Sequence, residues 1–164
     1  MAYTIQNSLA GFQPIAVTDT VQNHPLGYQV TAVDPTYGLG TFIYLKGIGS
    51  TAIGSLVDYD QTLGTTALAP ATGGIGNVAV AMSANTANRY GWYQVVGAAA
   101  VKAPNAAVVG AEVFMLAATA GSVDDAQVNG EQILNAKFST TTGTPSTGLA
   151  IIQIAWPAHQ GQIV

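Results

Sequence analysis

The side chains able to do chemistry are few, and their spacing limits what chemistry is open to them. Two histidines occur, His24 beside Pro25 and His159 near the C-terminus. Neither has a carboxylate beside it in the sequence, and a general base needs a partner that fixes its tautomer and tunes its proton affinity. Both therefore read as exposed residues of an arm and a tail. Asp58 and Asp60 stand at i and i+2, which in a strand sets them on one face about 7 Å apart. Asp124-Asp125 follows Gly121-Ser122 and is the place to look for calcium. Calcium takes roughly six to eight oxygens, however, and no loop of spaced carboxylates is present. Turn chemistry is the better reading of that pair. Residues 71–77 (ATGGIGN) superficially resemble a phosphate-cradling loop. They lack the GxGxxG spacing and the closing Lys-Ser/Thr, and no helix follows, so they read as a hairpin or surface loop.

Tyr90, Trp92 and Tyr93 form the densest aromatic group. In a strand Tyr90 and Trp92 share one face and Tyr93 takes the other. Such a row could stack on a sugar, although aromatics more often serve a core and an interface. The chain has no cysteine, which removes disulfides and thiol chemistry together. These residues make no catalytic constellation, no metal site and no cofactor site, and the expectation is a protein that is not an enzyme.

The elements that would position these residues are strands. Val30–Val33 runs into an Asp34-Pro35 turn signal, and Thr41–Lys46 (TFIYLK) is β-branched and aromatic between glycines. Ser55–Tyr59, Val78–Met82, Gly91–Val96, Glu112–Leu116, Gln132–Phe138 and Leu149–Trp156 complete eight or nine short segments. Gly, Pro, Asn, Asp and Thr clusters separate them, the pattern of a sandwich or barrel. Ala98–Ala100 favours helix by propensity, but Gly97 and Pro104 leave too little room, so it reads as a strand edge. Ser83–Asn88 (SANTAN) is the one place for a single helical turn. The fold class is all-β, an antiparallel sandwich or barrel of jelly-roll-like form over residues 27–164. Residues 1–26, polar with isolated apolar anchors and interrupted by Pro14 and Pro25, read as an extended N-terminal arm.

Charge is the outlier. Asp, Glu, Lys and Arg make 7% of the chain, against about 25% in ordinary soluble domains. Ordinary monomers use charge for solubility and mutual repulsion. A chain that discards it is expected to hide surface in an assembly, as a homodimer or homotrimer; an unusually neutral secreted monomer is the alternative. Four scattered cations, Lys46, Arg89, Lys102 and Lys137, make no surface for nucleic acid. No apolar run approaches the roughly 20 residues of a spanning helix, and no signal peptide is recognisable at the N-terminus. Manufacture in a cytoplasm follows as an expectation.

The stretches 24–49 (HPLGYQVTAVDPTYGLGTFIYLKGIG), 78–99 (VAVAMSANTANRYGWYQVVGAA) and 130–154 resemble small virion structural proteins encoded near the capsid genes of tailed bacteriophages. The likeness is one of layout over most of residues 24–156, without a site motif. It implies a capsid decoration, or cement, protein bound in many copies to the major capsid protein on the outside of the head. The apolar anchors Ile5, Leu9, Phe12 and Ile15 of the arm are the candidates for that contact, through backbone pairing and side-chain pockets. The rival readings are a head-fibre or tail component that binds host-surface glycan or receptor, and a cell-wall hydrolase.

Overall fold

The computed structural model describes residues 4–5 and 13–161, and among them every regular element is a strand. In chain order these are β1 (Thr4–Ile5), β2 (Gln29–Asp34), β3 (Gly38–Lys46), β4 (Leu56–Tyr59), β5 (Thr66–Leu68) and β6 (Val78–Ala81). They continue as β7 (Tyr90–Lys102), β8 (Glu112–Met115), β9 (Val123–Asp124), β10 (Gln132–Phe138) and β11 (Leu149–His159). All eight expected segments are present as strands; β1, β5 and β9, of two or three residues, are additional. Every pairing between these strands is antiparallel, in the order β1-β2-β3-β7-β11-β10-β8-β9, with β4, β5 and β6 branching from β7. The sheet curls into a half-barrel. No helical turn forms at residues 83–88.

Turn chemistry explains the joins. At the β2–β3 hairpin the buried Asp34 Oδ1 accepts the N–H groups of Thr36 (2.8 Å) and Tyr37 (3.0 Å). That Asx turn holds the reversal while Gly38, at φ +76°, faces Asp34 in register. Residues 83–88 form a loop that the buried Asn85 plugs into the sheet. Its Nδ2 donates to the Tyr93 hydroxyl (2.9 Å) and to Leu45 O (3.3 Å).

The 13-residue strand β7 organises everything else. Its first half pairs with β3 from Tyr90 to Val96, and its second half pairs with β11 from Val96 to Lys102. Both of its faces are covered. Trp92 joins Phe42, Tyr44, Val30 and Ile15 on one side, while Tyr93 and Val95 join Ile43, Leu45 and Val57 on the other. Beyond Gly97, Ala99 and Val101 enter the largest cluster with Val113, Ile133, Phe138 and Ile152; Ala98 and Ala100 pack against Ile151 on the reverse face. Ala98–Ala100 is therefore strand interior. Its small side chains let a second layer lie close on each face.

Part of that covering is the segment read as an arm. Residues 13–26 lie against the sheet: Asp19 bridges Tyr90 in antiparallel fashion, Ile15 is 2% exposed, and Leu26 packs on the same cluster. Without this strip, Trp92, Tyr44 and Phe42 would lose their cover. The described part of the expected arm thus serves the domain's own core.

Gly97 marks where β7 passes from one neighbour set to the next. Its φ is +102°, and a Cβ there would lie 2.4 Å from Leu39 O and 3.1 Å from Gly40 Cα. Gln94, fully buried, donates its Nε2 to Val96 O (3.1 Å) and Ala98 O (3.0 Å) across the same irregularity. Gly97→Ala combines backbone strain with a backbone overlap and is expected to lower stability by about 2–4 kcal/mol. Urea unfolding measures this, and a loss below about 0.5 kcal/mol contradicts the assignment.

The buried tyrosines set an alkaline limit. Burial raises the Tyr93 pKa above its ordinary 10.0, opposed by hydrogen bonds with Thr66 and Asn85; burial likewise raises those of Tyr44 and Tyr59. A group whose pKa is higher folded than unfolded contributes stability below the unfolded value and loses it as pH rises through the folded value. Thermal stability should therefore fall steadily above about pH 10. Part of the tyrosinate absorbance should appear only with unfolding, and complete ionisation at pH 10–11 in folded protein would contradict it.

Candidate functional site

The residues singled out by type fall into separate places. Leu9 and Phe12 lie outside the described residues, and of Ile5 only the backbone, opposite Ala32, is described. Ile15 is spent on the core, so it is not an anchor offered to a partner. The aromatic row is not a surface either: Trp92 and Tyr93 are 0% exposed on opposite faces of β7. Tyr90 alone is half-buried, its ring 6.3 Å from that of Tyr44. His24 is not a free arm residue. It sits half-buried with its ring 5.0 Å from Tyr44 and 5.5 Å from Trp92, so it belongs to the rim of the same aromatic cluster.

His159 departs furthest from the sequence reading. It is the last residue of β11, its side chain is 0% exposed, and Nε2 lies 2.7 Å from Asp58 Oδ1 on β4. The partner stands 101 positions away in the chain, so no local inspection could pair them. Above the ring lies the glycine-rich loop. A Cβ on Gly74 would fall 2.3 Å from the imidazole Cε1, which makes glycine the residue that fits over the ring face. The backbone holds the loop from two more points: His159 N donates to Gly76 O (2.9 Å), and Gly73 N donates to Glu131 Oε1 (2.8 Å). Asp58, His159 and Glu131 are therefore anchors of the 71–77 loop, which stays a loop as expected.

This arrangement resembles part of a catalytic relay, with the imidazole shut away from solvent and Asp58 partly exposed. The imidazole is closed off beneath Gly74, and its Nδ1 is buried without a partner among the described residues. Asp60 does not join it; Oδ1 accepts the N–H groups of Thr62 (2.7 Å) and Leu63 (2.9 Å) in a turn beyond β4. Asp124 and Asp125 also act as turn and loop pins. Asp124 takes the Ala126 N–H (3.2 Å) and Asp125 takes the Val108 N–H (2.9 Å). Among the described residues no three His, Asp or Glu side chains converge as metal ligands.

What the surface does offer is apolar. Leu39, Ile53, Leu63, Ile75, Val108 and Val109 are all more than half exposed. A groove of about 490 Å³ opens where the chain enters the domain, lined by Pro14, Ile15, Ile53, Met82, Ala100 and Leu149. Ile75 stands at the tip of the loop anchored by Glu131 and His159, so one of these exposed side chains has a fixed mount. Low charge in the sequence pointed to such a surface in general; which side chains form it depends on the curl of the sheet.

Comparison of the chain with protein-family models, with curated proteins and with solved structures finds nothing that matches.

The contact between Gly74 and His159 yields a sharp expectation. Gly74→Ala pushes a methyl group into the ring and should destabilise by about 1–3 kcal/mol, as overpacking does. His159→Ala should also destabilise, because it empties a buried site and strands Asp58. Combined, the two should cost at least about 0.5 kcal/mol less than their sum, since the cavity receives the methyl. Strict additivity in denaturant unfolding would show that the loop does not rest on the imidazole.

Proposed function

We propose that this chain is a decoration protein of a tailed-phage head, bound in many copies to the outer surface of the major capsid protein lattice. The observation that carries the reading is the scarcity of charge, four basic and eight acidic residues in the whole chain, together with exposed Leu, Ile and Val side chains. Charge so scarce leaves a free monomer little to keep it soluble and apart from its copies, a need that is smaller for a protein held in a lattice. A symmetric homodimer or homotrimer would present several contact surfaces together, and weak identical contacts would add through multivalency. Binding confined to the assembled, expanded lattice would stabilise that state by mass action. No cofactor and no catalysis enter this role.

The contact should be apolar and partly carried by Ile5, Leu9 and Phe12, since ion pairs are screened over about 10 Å at 0.1 M salt. Burial of one such side chain contributes roughly 1.5–3 kcal/mol. Removing residues 1–12 takes away the two-residue edge strand β1 but leaves Ile15 and the strip over Trp92 in place, so the domain should fold with a nearly unchanged circular dichroism spectrum. Its adsorption to expanded shells that lack this protein should fall at least tenfold. Intact protein should stay bound in about 1 M NaCl. Undiminished binding by the truncated chain would move the contact to the half-barrel, and release by moderate salt would remove the apolar attachment. Failure of the intact protein to bind such shells at all would remove the decoration role.

A further inference from the structure

The β10–β11 hairpin carries a backbone irregularity that its own packing does not account for. Register passes from Leu134 opposite Ala158 to Ala136 opposite Ile154, so three residues of β11 bulge against one of β10. Two of the residues involved, Asn135 (φ +57°) and Trp156 (φ +53°), are the only described non-glycine residues inside strands at positive φ. For a residue as bulky as tryptophan that conformation is a true outlier. Strain of this kind persists only where something over-determines it, and the fold receives little in return, because Trp156 remains 47% exposed. Asn135 holds the bulge by donating its Nδ2 to Trp156 O at 3.4 Å.

Beside this bulge lies an open, shallow strip of about 500 Å³ across three strands, which Asn135 and Ala155, the chain neighbour of Trp156, help to line. Its floor is a row of cross-strand partners: Glu112 on β8 faces Lys137 on β10, which faces Gln153 on β11. Lys137 Nζ and Glu112 Oε1 are 3.2 Å apart, so the row is neutral overall. The amides of Asn135 and Gln153 complete it. A groove floored by two amides and a neutralised ion pair, with a tryptophan that is 47% exposed next in the chain to its lining residue Ala155, suits one ligand chemistry. A sugar presents an apolar C–H face for stacking and hydroxyls that pair with amide and carboxylate groups. A protein partner would be better served by an apolar floor, and a charged polymer by an unpaired charge.

We propose that the groove beside Trp156 binds a neutral oligosaccharide, with the indole stacking on a sugar ring and Asn135, Gln153 and Glu112 meeting its hydroxyls. The assignment is independent of the capsid role. The chain has two tryptophans, and Trp92 is fully buried, so a ligand-dependent change in indole emission reports on Trp156. Full-length protein would be titrated with cellohexaose, maltohexaose and chitohexaose to millimolar concentration, followed by fluorescence and calorimetry. At least one should bind saturably. Gln153→Ala should weaken that binding several-fold, and Trp156→Gly should abolish the heat of binding. Glycine accepts φ +53° without strain, so the melting temperature of Trp156→Gly should hold or rise by about 2–4 °C. A merely structural tryptophan would not behave so: its loss would lower the melting temperature. Such a fall, binding that survives Trp156→Gly, or no saturable binding of any of the three sugars would each overturn the proposal. If no sugar binds but Trp156→Gly lowers adsorption to capsids, the face belongs to a protein contact.

Discussion

A strand buried on both faces is the constraint on which this molecule depends. Parallel sheets meet that demand with helices, but this chain has no helix among its described residues, and an antiparallel sheet ordinarily leaves one face to water. β7 is nevertheless covered on both sides along its length. The chain meets the demand with what it has: the sheet curls until strands face strands, and the strip of residues 13–26 seals the aromatic face. The dependence is reciprocal. Trp92 is buried because Ile15 and Leu26 lie over it, and the strip stays in place because Trp92, Tyr44 and His24 give it an aromatic bed. A substitution in either therefore acts on both.

Much of this was legible in the sequence, and the boundary of legibility has a physical cause. Strands with one dominant face or clear turn signals, such as Thr41–Lys46 and Gln132–Phe138, are found by period and punctuation. Gly97 misleads, because glycine within a run suggests an end; here β7 passes through and uses positive φ to change partners. Two-residue strands such as β9 carry no period at all. Local reading fails altogether for side chains that meet across the sheet. His159 and Asp58 are 101 residues apart, and each alone looks like an exposed polar residue. Ile15 and the Tyr90–Tyr93 aromatics were read as surface candidates for the same reason: an anchor for a partner and an anchor for one's own core have the same composition.

The glycine-rich loop illustrates how the fold turns scarce charge to mechanical use. Among the few acidic residues, Glu131 and Asp58 both serve residues 71–77, one through the Gly73 N–H and the other through His159. Asp34, Asp60, Asp124 and Asp125 hold the backbone N–H groups of turns or loops. Hydrogen bonds from backbone N–H groups to a carboxylate are short and strong, so each such side chain holds its turn firmly. Five of the eight acidic side chains thus accept backbone N–H groups, and a sixth, Asp58, acts on the loop through His159.

The scarcity and scatter of charge bear on how an assembly with this chain could form. Electrostatic steering raises association rates well above the roughly 10⁵–10⁷ M⁻¹s⁻¹ of ordinary docking, and a chain without clustered charge forgoes that gain. Its encounters would be set by diffusion and shape, and its hold by slow release. Slow release from apolar contacts is cheap to obtain when a lattice offers many equivalent positions and an oligomer engages several at once, because the second contact forms at high effective concentration. Under the proposed decoration role, a chain so poor in charge would be better suited to a crowded repetitive surface that it joins once than to a fast, reversible encounter between single molecules.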